Sequence, residues 1–191
     1  MDGWHKKLDV MRRYDATAHM YDVRYAEEQK LKIEAALNYV DVGKADMVLD
    51  VGCGTGVLFD YVASEAAMTV GLDISEKTLR VARERAKHYD RVHLVWADAD
   101  NMPFKGQVFD KVFAMTLLQN TPSATDTLKE IYRVAKEEAL VVITGLKKIF
   151  SRAVFEQLLR LVGLKKIVTL NKGLQCYVSV CAKARGKSKT S

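Results

Sequence analysis

Short apolar runs rich in β-branched residues alternate with amphipathic segments along most of the 191-residue chain, and this alternation limits the folds that it can adopt. The runs are predicted strands, at 47–51, 68–73, 91–96, 111–116 and 139–144. The segments between and after them are predicted helices, at 56–66, 75–88, 123–136 and 151–162. Alternating strands and helices form parallel βαβ units whose sheet carries helices on both faces. The pattern therefore predicts an α/β protein with a Rossmann-like, three-layer α/β/α sandwich.

The alternation ends near the C-terminus, where two apolar runs follow each other without a helix between them. Residues 164–170 and 174–182 are separated only by Asn171, Lys172 and Gly173. Such a link is too short for the crossover that parallel strands need, whereas it suits a hairpin. The sequence therefore predicts that an antiparallel hairpin ends an otherwise parallel sheet.

A glycine-rich turn follows the first predicted strand, in the sequence VLDVGCGTG at 48–56. Gly52, Gly54 and Gly56 let the backbone adopt positive φ and approach a ligand, because no Cβ intervenes. The dinucleotide fingerprint is G-x-G-x-x-G, with a pyrophosphate on the following helix. This turn reads G-x-G-x-G instead, and Asp50 stands two residues before its first glycine. A carboxylate there suits a cationic ligand better than a pyrophosphate, and S-adenosylmethionine carries both an ammonium and a sulfonium group.

Acids also follow the second and third predicted strands. Asp73 ends the second strand, at a distance from Asp50 where an acid accepts hydrogen bonds from ribose hydroxyls. Asp98 follows the third strand, where a carboxylate can accept from the exocyclic amine of adenine. A single acid at a strand end more often serves a turn or a helix cap. Three acids on one edge of the sheet instead favour an adenosyl-binding site.

Composition and cysteine spacing argue against several other classes of protein. No apolar run approaches the ~20 residues that span a bilayer, and the charged N-terminus lacks the apolar core of a signal peptide. Cys53, Cys176 and Cys181 have no CxxC spacing, and the four histidines are scattered, so neither a disulfide framework nor a metal site is predicted. We therefore expect a reduced, cytoplasmic protein that binds neither membranes nor metals.

Five motifs resemble those of the class I S-adenosylmethionine-dependent methyltransferase superfamily: VLDVGCGTG, GLDIS, WADADNMPF, FDKVFAMTLLQN and LKEIYRVAKEEALVVI. The resemblance covers residues 14–182 and implies a seven-stranded sheet whose last strand runs antiparallel, in agreement with the hairpin. It implies S-adenosylmethionine as the cofactor. The resemblance assigns to this cofactor Tyr21, Asp50, Gly52, Cys53, Gly54, Gly56, Asp73, Ile74, Asp98, Ala99, Leu118 and Gln119. One departure is the sequence Lys136-Glu137-Glu138, where many relatives have a Pro-Gly turn before the fifth strand.

The segment before the first strand is expected to cover the cofactor. Residues 26–40 have apolar positions at helical spacing and are predicted to form a helix. In related enzymes a Tyr-Asp pair in this region lies over the cofactor; Tyr21-Asp22 fits this description, Tyr14-Asp15 is a second candidate, and helix packing is the alternative role for both tyrosines. We therefore expect an N-terminal helical extension at 1–44, a methyltransferase domain at 45–182 and a basic tail at 183–191.

The candidate catalytic residues are Asn120, Thr121 and Pro122, after the fourth predicted strand. This stretch resembles the Asn-Pro-Pro-aromatic motif of enzymes that methylate exocyclic base amines, although Thr121 replaces the first proline and Ser123 the aromatic residue. In that motif the asparagine oxygen and a backbone carbonyl accept the amine hydrogens, and the proline holds the carbonyl. The same stretch also fits relatives that methylate small molecules, so the acceptor atom stays open.

Positive charge is concentrated at the C-terminal end of the chain. Residues 146–191 contain eleven Lys or Arg residues and one acid, a net charge of +10, so residues 1–145 carry −4 of the total of +6. This asymmetry favours a polyanionic partner, and structured ribosomal or transfer RNA is the preferred acceptor, with cytidine N4 as one candidate atom. Such a small chain would need a structured target or a partner protein. The alternatives are a small-molecule acceptor with a merely solvated basic surface, and a non-catalytic subunit that has kept the fold.

Overall fold

The computed structural model describes residues 3–184, and for residues 13–26 it describes the backbone but not the side chains. The described strands are β1 Met47–Val51, β2 Met68–Asp73, β3 Val92–Trp96, β4 Phe109–Ala114, β5 Ala135–Leu146, β6 Leu164–Leu170 and β7 Cys176–Lys183. The described helices are α1 Gly3–Leu37, α2 Phe59–Val62, α3 Glu76–Ala86, α4 Ala124–Val134 and α5 Arg152–Leu161, and a 3₁₀ turn spans Leu118–Asn120.

The seven strands form one sheet in the order β3-β2-β1-β4-β5-β7-β6. Strands β1 to β5 pair in parallel, whereas β7 pairs antiparallel with both β5 and β6. The predicted Rossmann-like sheet with an antiparallel C-terminal hairpin is thus confirmed. Because the carboxyl ends of parallel strands meet at one edge, the loops after β1, β2, β3 and β4 lie side by side.

Neighbouring residues of the central strands point into two separate cores, as expected for a sheet covered on both faces. Val112 packs with α4 and α5, whereas Phe113 beside it packs with α1 and α2. Val141 and Val142 of β5 divide in the same way. Each of these four side chains is fully buried, so the central strands read as continuous apolar runs rather than as an alternating pattern.

Most elements differ from their predicted bounds by one or two residues, and β5 begins at Ala135 rather than at residue 139; the differences in α1, α2 and β4 bear on the site. Helix α1 begins at Gly3 rather than at residue 26. Helix α2 covers only Phe59–Val62 of the predicted 56–66, because Gly54 and Gly56 have φ of +53° and +80°, which a right-handed helix excludes. Strand β4 ends at Ala114 rather than at residue 116, because Thr116 has a φ of +59°.

The three cysteines are buried and free. Among residues 3–184, excluding the side chains of 13–26, there is no cluster of His, Cys, Asp and Glu side chains that could hold a metal ion. None of the described helices combines the length and the apolar character that crossing a membrane requires.

Candidate functional site

A cavity lies at the sheet edge where β1, β2, β3 and β4 end, and with its open mouth it encloses about 1080 Å³. Eleven of the predicted site residues line it: Asp50, Gly52, Cys53, Gly54, Asp73, Ile74, Asp98, Ala99, Asn120, Thr121 and Pro122. Three predicted residues, Gly56, Leu118 and Gln119, are outside its lining, and the Tyr21 side chain lies outside the described residues. The fold thus brings together acids and glycines from three loops.

The glycine-rich turn needs its glycines for three different reasons. All three have φ between +53° and +80°, a region that other residues adopt only with strain. A Cβ at Gly52 would come within 2.9 Å of Leu117, and one at Gly56 would overlap the Phe59 ring. A Cβ at Gly54 would meet no atom of the described residues within 4 Å, because it would point into open space beside the cavity. Among the three glycines of the turn, Gly54 therefore leaves the most room for a ligand beside the backbone.

Asp50 is a buried carboxyl group at the bottom of this cavity, at the end of β1. It is only 3% exposed, and no described side chain or backbone group donates a hydrogen bond to it. Burial, helped by the negative charge of Asp73, raises the pKa of Asp50 to about 8. A buried carboxylate is costly unless a positive charge faces it. A ligand with an ammonium or sulfonium group would supply such a charge.

Asp73 is held at the cavity by the backbone around it. Its Oδ2 accepts a hydrogen bond of 2.9 Å from the Gly54 N–H, and its Oδ1 accepts one of 2.8 Å from the Ser75 N–H. The Ser75 side chain in turn caps α3 by accepting from the Thr78 N–H. These contacts fix the carboxylate between the glycine-rich turn and the start of α3. The predicted contact of Asp73 with the ribose hydroxyls stays a prediction.

Asp98 lies in the loop after β3 and forms an ion pair with Lys7, which no sequence motif indicated. Lys7 of α1 places its Nζ 2.5 Å from Asp98 Oδ2 and 2.6 Å from Asp100 Oδ2. The two hydrogen-bonded carboxylates raise the pKa of Lys7 against the opposing effect of its burial. The start of α1 is thereby attached to the loop after β3, beside Ala99.

The loop after β4 forms the remaining wall of the cavity. Asn120, Thr121 and Pro122 line it, whereas Leu118 is 2% exposed and packs into the core. The Gln119 amide nitrogen donates to the Thr116 carbonyl at 2.7 Å. Gln119 and Leu118 thus support the loop without lining the cavity. Their predicted contact with the cofactor stays a prediction.

Several lining residues were not predicted because they come from distant parts of the chain. Lys7, Val10, Gln29 and Ile33 belong to α1, and Thr116 belongs to the loop after β4. The bond between Gln29 and Thr116 joins residues 87 positions apart. Only the positive φ of Thr116 and its neighbours in space distinguish it, and neither leaves a signal in the sequence.

An acid at the end of each of three successive strands, beside a glycine-rich turn, defines a Rossmann-like protein with a site for an adenosyl ligand that carries positive charge. Residues 48–138 match the family model described as "Methyltransferase domain". Residues 48–138 therefore form a methyltransferase domain of the class I S-adenosylmethionine-dependent type.

Two curated relatives and one solved structure illustrate the similarity. A malonyl-[acyl-carrier protein] O-methyltransferase of Marinomonas sp. (strain MWYL1) is 34% identical over 142 residues, 73% of this chain and 52% of the relative. A demethylmenaquinone methyltransferase of Staphylococcus epidermidis is 32% identical over 138 residues, 70% of this chain and 56% of the relative. The chain thus spans about half the length of the curated relatives it matches.

The solved structure is a complex between the Haloferax volcanii Trm112 methyltransferase activator and a methyltransferase. One chain of it superimposes with a TM-score of 0.76 and 18% identity, covering 90% of this chain and 98% of that chain. At this identity the likeness supports the fold alone.

Proposed function

We propose that this chain transfers the methyl group of S-adenosylmethionine to a small-molecule acceptor. The observation that carries the proposal is Asp50, a buried carboxyl without a described hydrogen-bond donor, beside a glycine-rich turn that leaves room for a ligand. Asp50 would face the positive charge of the methionine moiety, Asp73 the ribose hydroxyls and Asp98 the adenine amine. When bound, the cofactor supplies a methyl group attached to a sulfonium sulfur. After transfer of the methyl group, this sulfur remains as a neutral thioether.

The acceptor would enter the half of the cavity between α1 and the loop after β4. Its apolar lining includes Ile33, Val57, Met115, Leu117 and Pro122. Its polar lining consists of Gln29, Thr116, Asn120 and Thr121. None of these residues has a carboxylate, an imidazole or an amine that could remove a proton. The protein would therefore act by orienting an acceptor that is already nucleophilic or readily ionised.

The hydrogen bonds of the loop after β4 favour a small molecule over a base amine. The Thr121 carbonyl accepts a hydrogen bond of 2.5 Å from Lys6, so the carbonyl that a base amine would need already uses one of its two lone pairs within the protein. The Asn120 amide nitrogen donates to the Thr116 carbonyl at 2.9 Å. The names of the two curated relatives support the same direction, since neither refers to a nucleic acid.

RNA is the second candidate acceptor, and the excess of positive charge at 146–191 supports it. Several of these positively charged side chains bind other groups of the protein. Lys183 is 7% exposed and donates to the Tyr132 and Ala135 carbonyls at the end of α4, both at 2.8 Å. Lys147 donates to two backbone carbonyls, and Lys166 pairs with Glu156 at 3.0 Å. These three side chains are therefore less available to bind phosphates than the count of charges in the sequence suggests.

We also infer that residues 1–44 cover the cofactor. Helix α1 supplies Lys7 and Val10 to the wall near Asp98, and Gln29 and Ile33 to the opposite wall. A cover made by one helix would exclude water from the sulfonium, which strengthens the electrostatic interactions of the site. The role of Tyr21 in this cover stays a prediction.

The test is methyl transfer from a radiolabelled donor to extracts of cells that lack the gene, separated into RNA, protein and small-molecule fractions. We expect the purified protein to label the small-molecule fraction. Asp50→Ala should abolish labelling and binding of the donor, whereas Asp41→Asn, at an exposed position, should leave both unchanged. Label found only in RNA would overturn the small-molecule proposal and support RNA as the acceptor. Failure of the protein to bind the donor would overturn both candidate functions.

A further inference from the structure

Thr116 has a backbone conformation that its surroundings must enforce. Its φ is +59°, a region that β-branched residues rarely adopt and that costs on the order of 1–3 kcal/mol. Its N–H donates to the Thr144 hydroxyl at 2.6 Å. Its carbonyl accepts from the amide nitrogens of Gln119 and Asn120 at 2.7 and 2.9 Å. The position of the Asn120 side chain in the cavity wall therefore depends on Thr116.

Helix α1 holds the Thr116 side chain. The Thr116 hydroxyl accepts hydrogen bonds of 3.2 Å from both Gln29 and Lys32. Lys32 is 2% exposed, and its ammonium pairs with Glu28 at 2.8 Å. Burying an ammonium is costly unless it is paired and hydrogen-bonded. Gln29 lines the cavity, whereas Lys32 does not, and among the described contacts Lys32 meets the loop after β4 at Thr116.

The other end of the same loop is also attached to α1. Lys6 donates to the Thr121 carbonyl at 2.5 Å, and Gly3 packs closely against Pro122. The segment 116–122 is thus held at its first residue by Lys32 and at its end by Lys6 and Gly3. The residues that face the cofactor from β1 and β2, by contrast, are held by contacts within the sheet edge.

Resting on the proposed function, we propose that Lys32 is a positioning residue for methyl transfer. Its ammonium holds the Thr116 hydroxyl, and Thr116 holds Asn120 at the acceptor side of the cavity. Because in-line transfer depends on the alignment of the acceptor, a displacement of about 1 Å can cost ~100-fold in rate. Loss of the Lys32 ammonium should therefore reduce the rate of transfer and leave the affinity for the cofactor nearly unchanged.

The test compares Lys32→Met with Lys30→Met. Lys30 lies on the same helix but is half exposed, and its contact with Glu34 is 3.9 Å long. We expect Lys32→Met to lower methyl transfer to the fraction labelled by the wild-type protein by ~10–100-fold. The dissociation constant of S-adenosylhomocysteine, measured by calorimetry, should change less than about threefold. Lys30→Met should behave as the wild type in both measurements.

A second pair of variants keeps the test decisive if Lys32→Met folds poorly. Thr116→Val removes the hydroxyl and keeps the β-branch, whereas Thr116→Ser keeps the hydroxyl. We expect the valine variant to lose transfer as Lys32→Met does, and the serine variant to retain it. Wild-type transfer rates in both Lys32→Met and Thr116→Val would overturn the proposal.

A readout without an acceptor separates this proposal from the function on which it rests. In the protein bound to S-adenosylhomocysteine, the side-chain amide signals of Asn120 in ¹⁵N-resolved NMR spectra should move in Lys32→Met and stay in Lys30→Met. Unmoved Asn120 signals would overturn the positioning role whatever the acceptor is. A wild-type protein that labels no fraction would instead overturn the proposed function.

Discussion

Gly54 and Gly173 share a backbone conformation but have different surroundings. Their φ values are +53° and +73°, and a Cβ at either position would meet no atom of the described residues within 4 Å. Alanine should therefore cost the same ~1 kcal/mol of backbone strain at both positions. Only Gly54 borders the cavity, so only Gly54→Ala should place a methyl group where the ligand approaches.

We expect Gly54→Ala to weaken binding of S-adenosylhomocysteine by about tenfold or more, since the added group removes a close backbone approach. Gly173→Ala should bind it as the wild type does. Calorimetric titration measures the affinities, and thermal unfolding checks that the two variants lose similar stability. Equal affinities in the two variants would contradict the assignment of the turn to the cofactor.

The pKa of Asp50 predicts that cofactor binding releases a proton. In the free protein this pKa is raised to about 8, so the carboxyl is mostly protonated at neutral pH. A bound cation favours the charged form and lowers the pKa, so affinity should rise with pH until about pH 8. Asp50→Asn should remove this dependence together with most of the affinity.

Titration calorimetry in two buffers of different ionisation enthalpy measures the proton directly. Near pH 7 we expect up to about one proton released per S-adenosylhomocysteine bound. Between about pH 5.5 and 7.5 the dissociation constant should fall with rising pH. Proton uptake, or an affinity independent of pH in this range, would show that Asp50 does not face the positive charge of the ligand.

At the scale of elements, the sequence predicted β1 and β2 residue for residue, because each is a short, mainly apolar run that ends at the glycine-rich turn or at an acid. It placed a helix only at 26–40 within the expected N-terminal extension, although Trp4, Leu8 and Met11 lie at helical spacing in the part of α1 that precedes it. The acids and glycines of the site were predictable because each follows a strand within a local motif. The ion pair between Lys7 and Asp98 could not be predicted from a local motif, because the two residues lie 91 positions apart in the sequence.

The start of β5 contains another non-glycine residue with positive φ, within the sequence Lys136-Glu137-Glu138. Glu138 has a φ of +64°, the left-handed conformation that the glycine of a Pro-Gly turn adopts without cost. Glu137 beside it is not among the described residues with positive φ.

We expect Glu138→Gly to change the free energy of unfolding by between zero and about +1 kcal/mol, because relief of strain offsets the entropy of the freer unfolded chain. Glu137→Gly gains no relief and should lower it by about 0.5–1 kcal/mol. Chemical denaturation of both variants measures the difference. A Glu138→Gly variant less stable than Glu137→Gly would contradict this account of the turn.

At the scale of the whole molecule, the uneven charge of the chain and the largely apolar cavity favour different acceptors. A protein that neutralises several phosphates loses affinity steeply as salt is added, whereas a small neutral acceptor in an apolar cavity is insensitive to salt. Three exposed lysines of the C-terminal region, Lys148, Lys165 and Lys172, have no described ion pair and lie outside the cavity. Their charge can therefore be reversed without touching the proposed catalytic site.

We expect the triple variant Lys148→Glu, Lys165→Glu, Lys172→Glu to methylate the small-molecule fraction at a rate within about twofold of the wild type, at low and at high salt. Each of these ammonium groups lies in solvent, so their replacement should cost little stability. Each substitution replaces a positive by a negative charge, so the net charge of the region falls by six units. If RNA were the acceptor, this change would weaken binding by orders of magnitude at low salt. The decisive measurement is the ratio of variant to wild-type rates at two salt concentrations, since a solvated basic surface leaves it near one and a phosphate-binding surface does not.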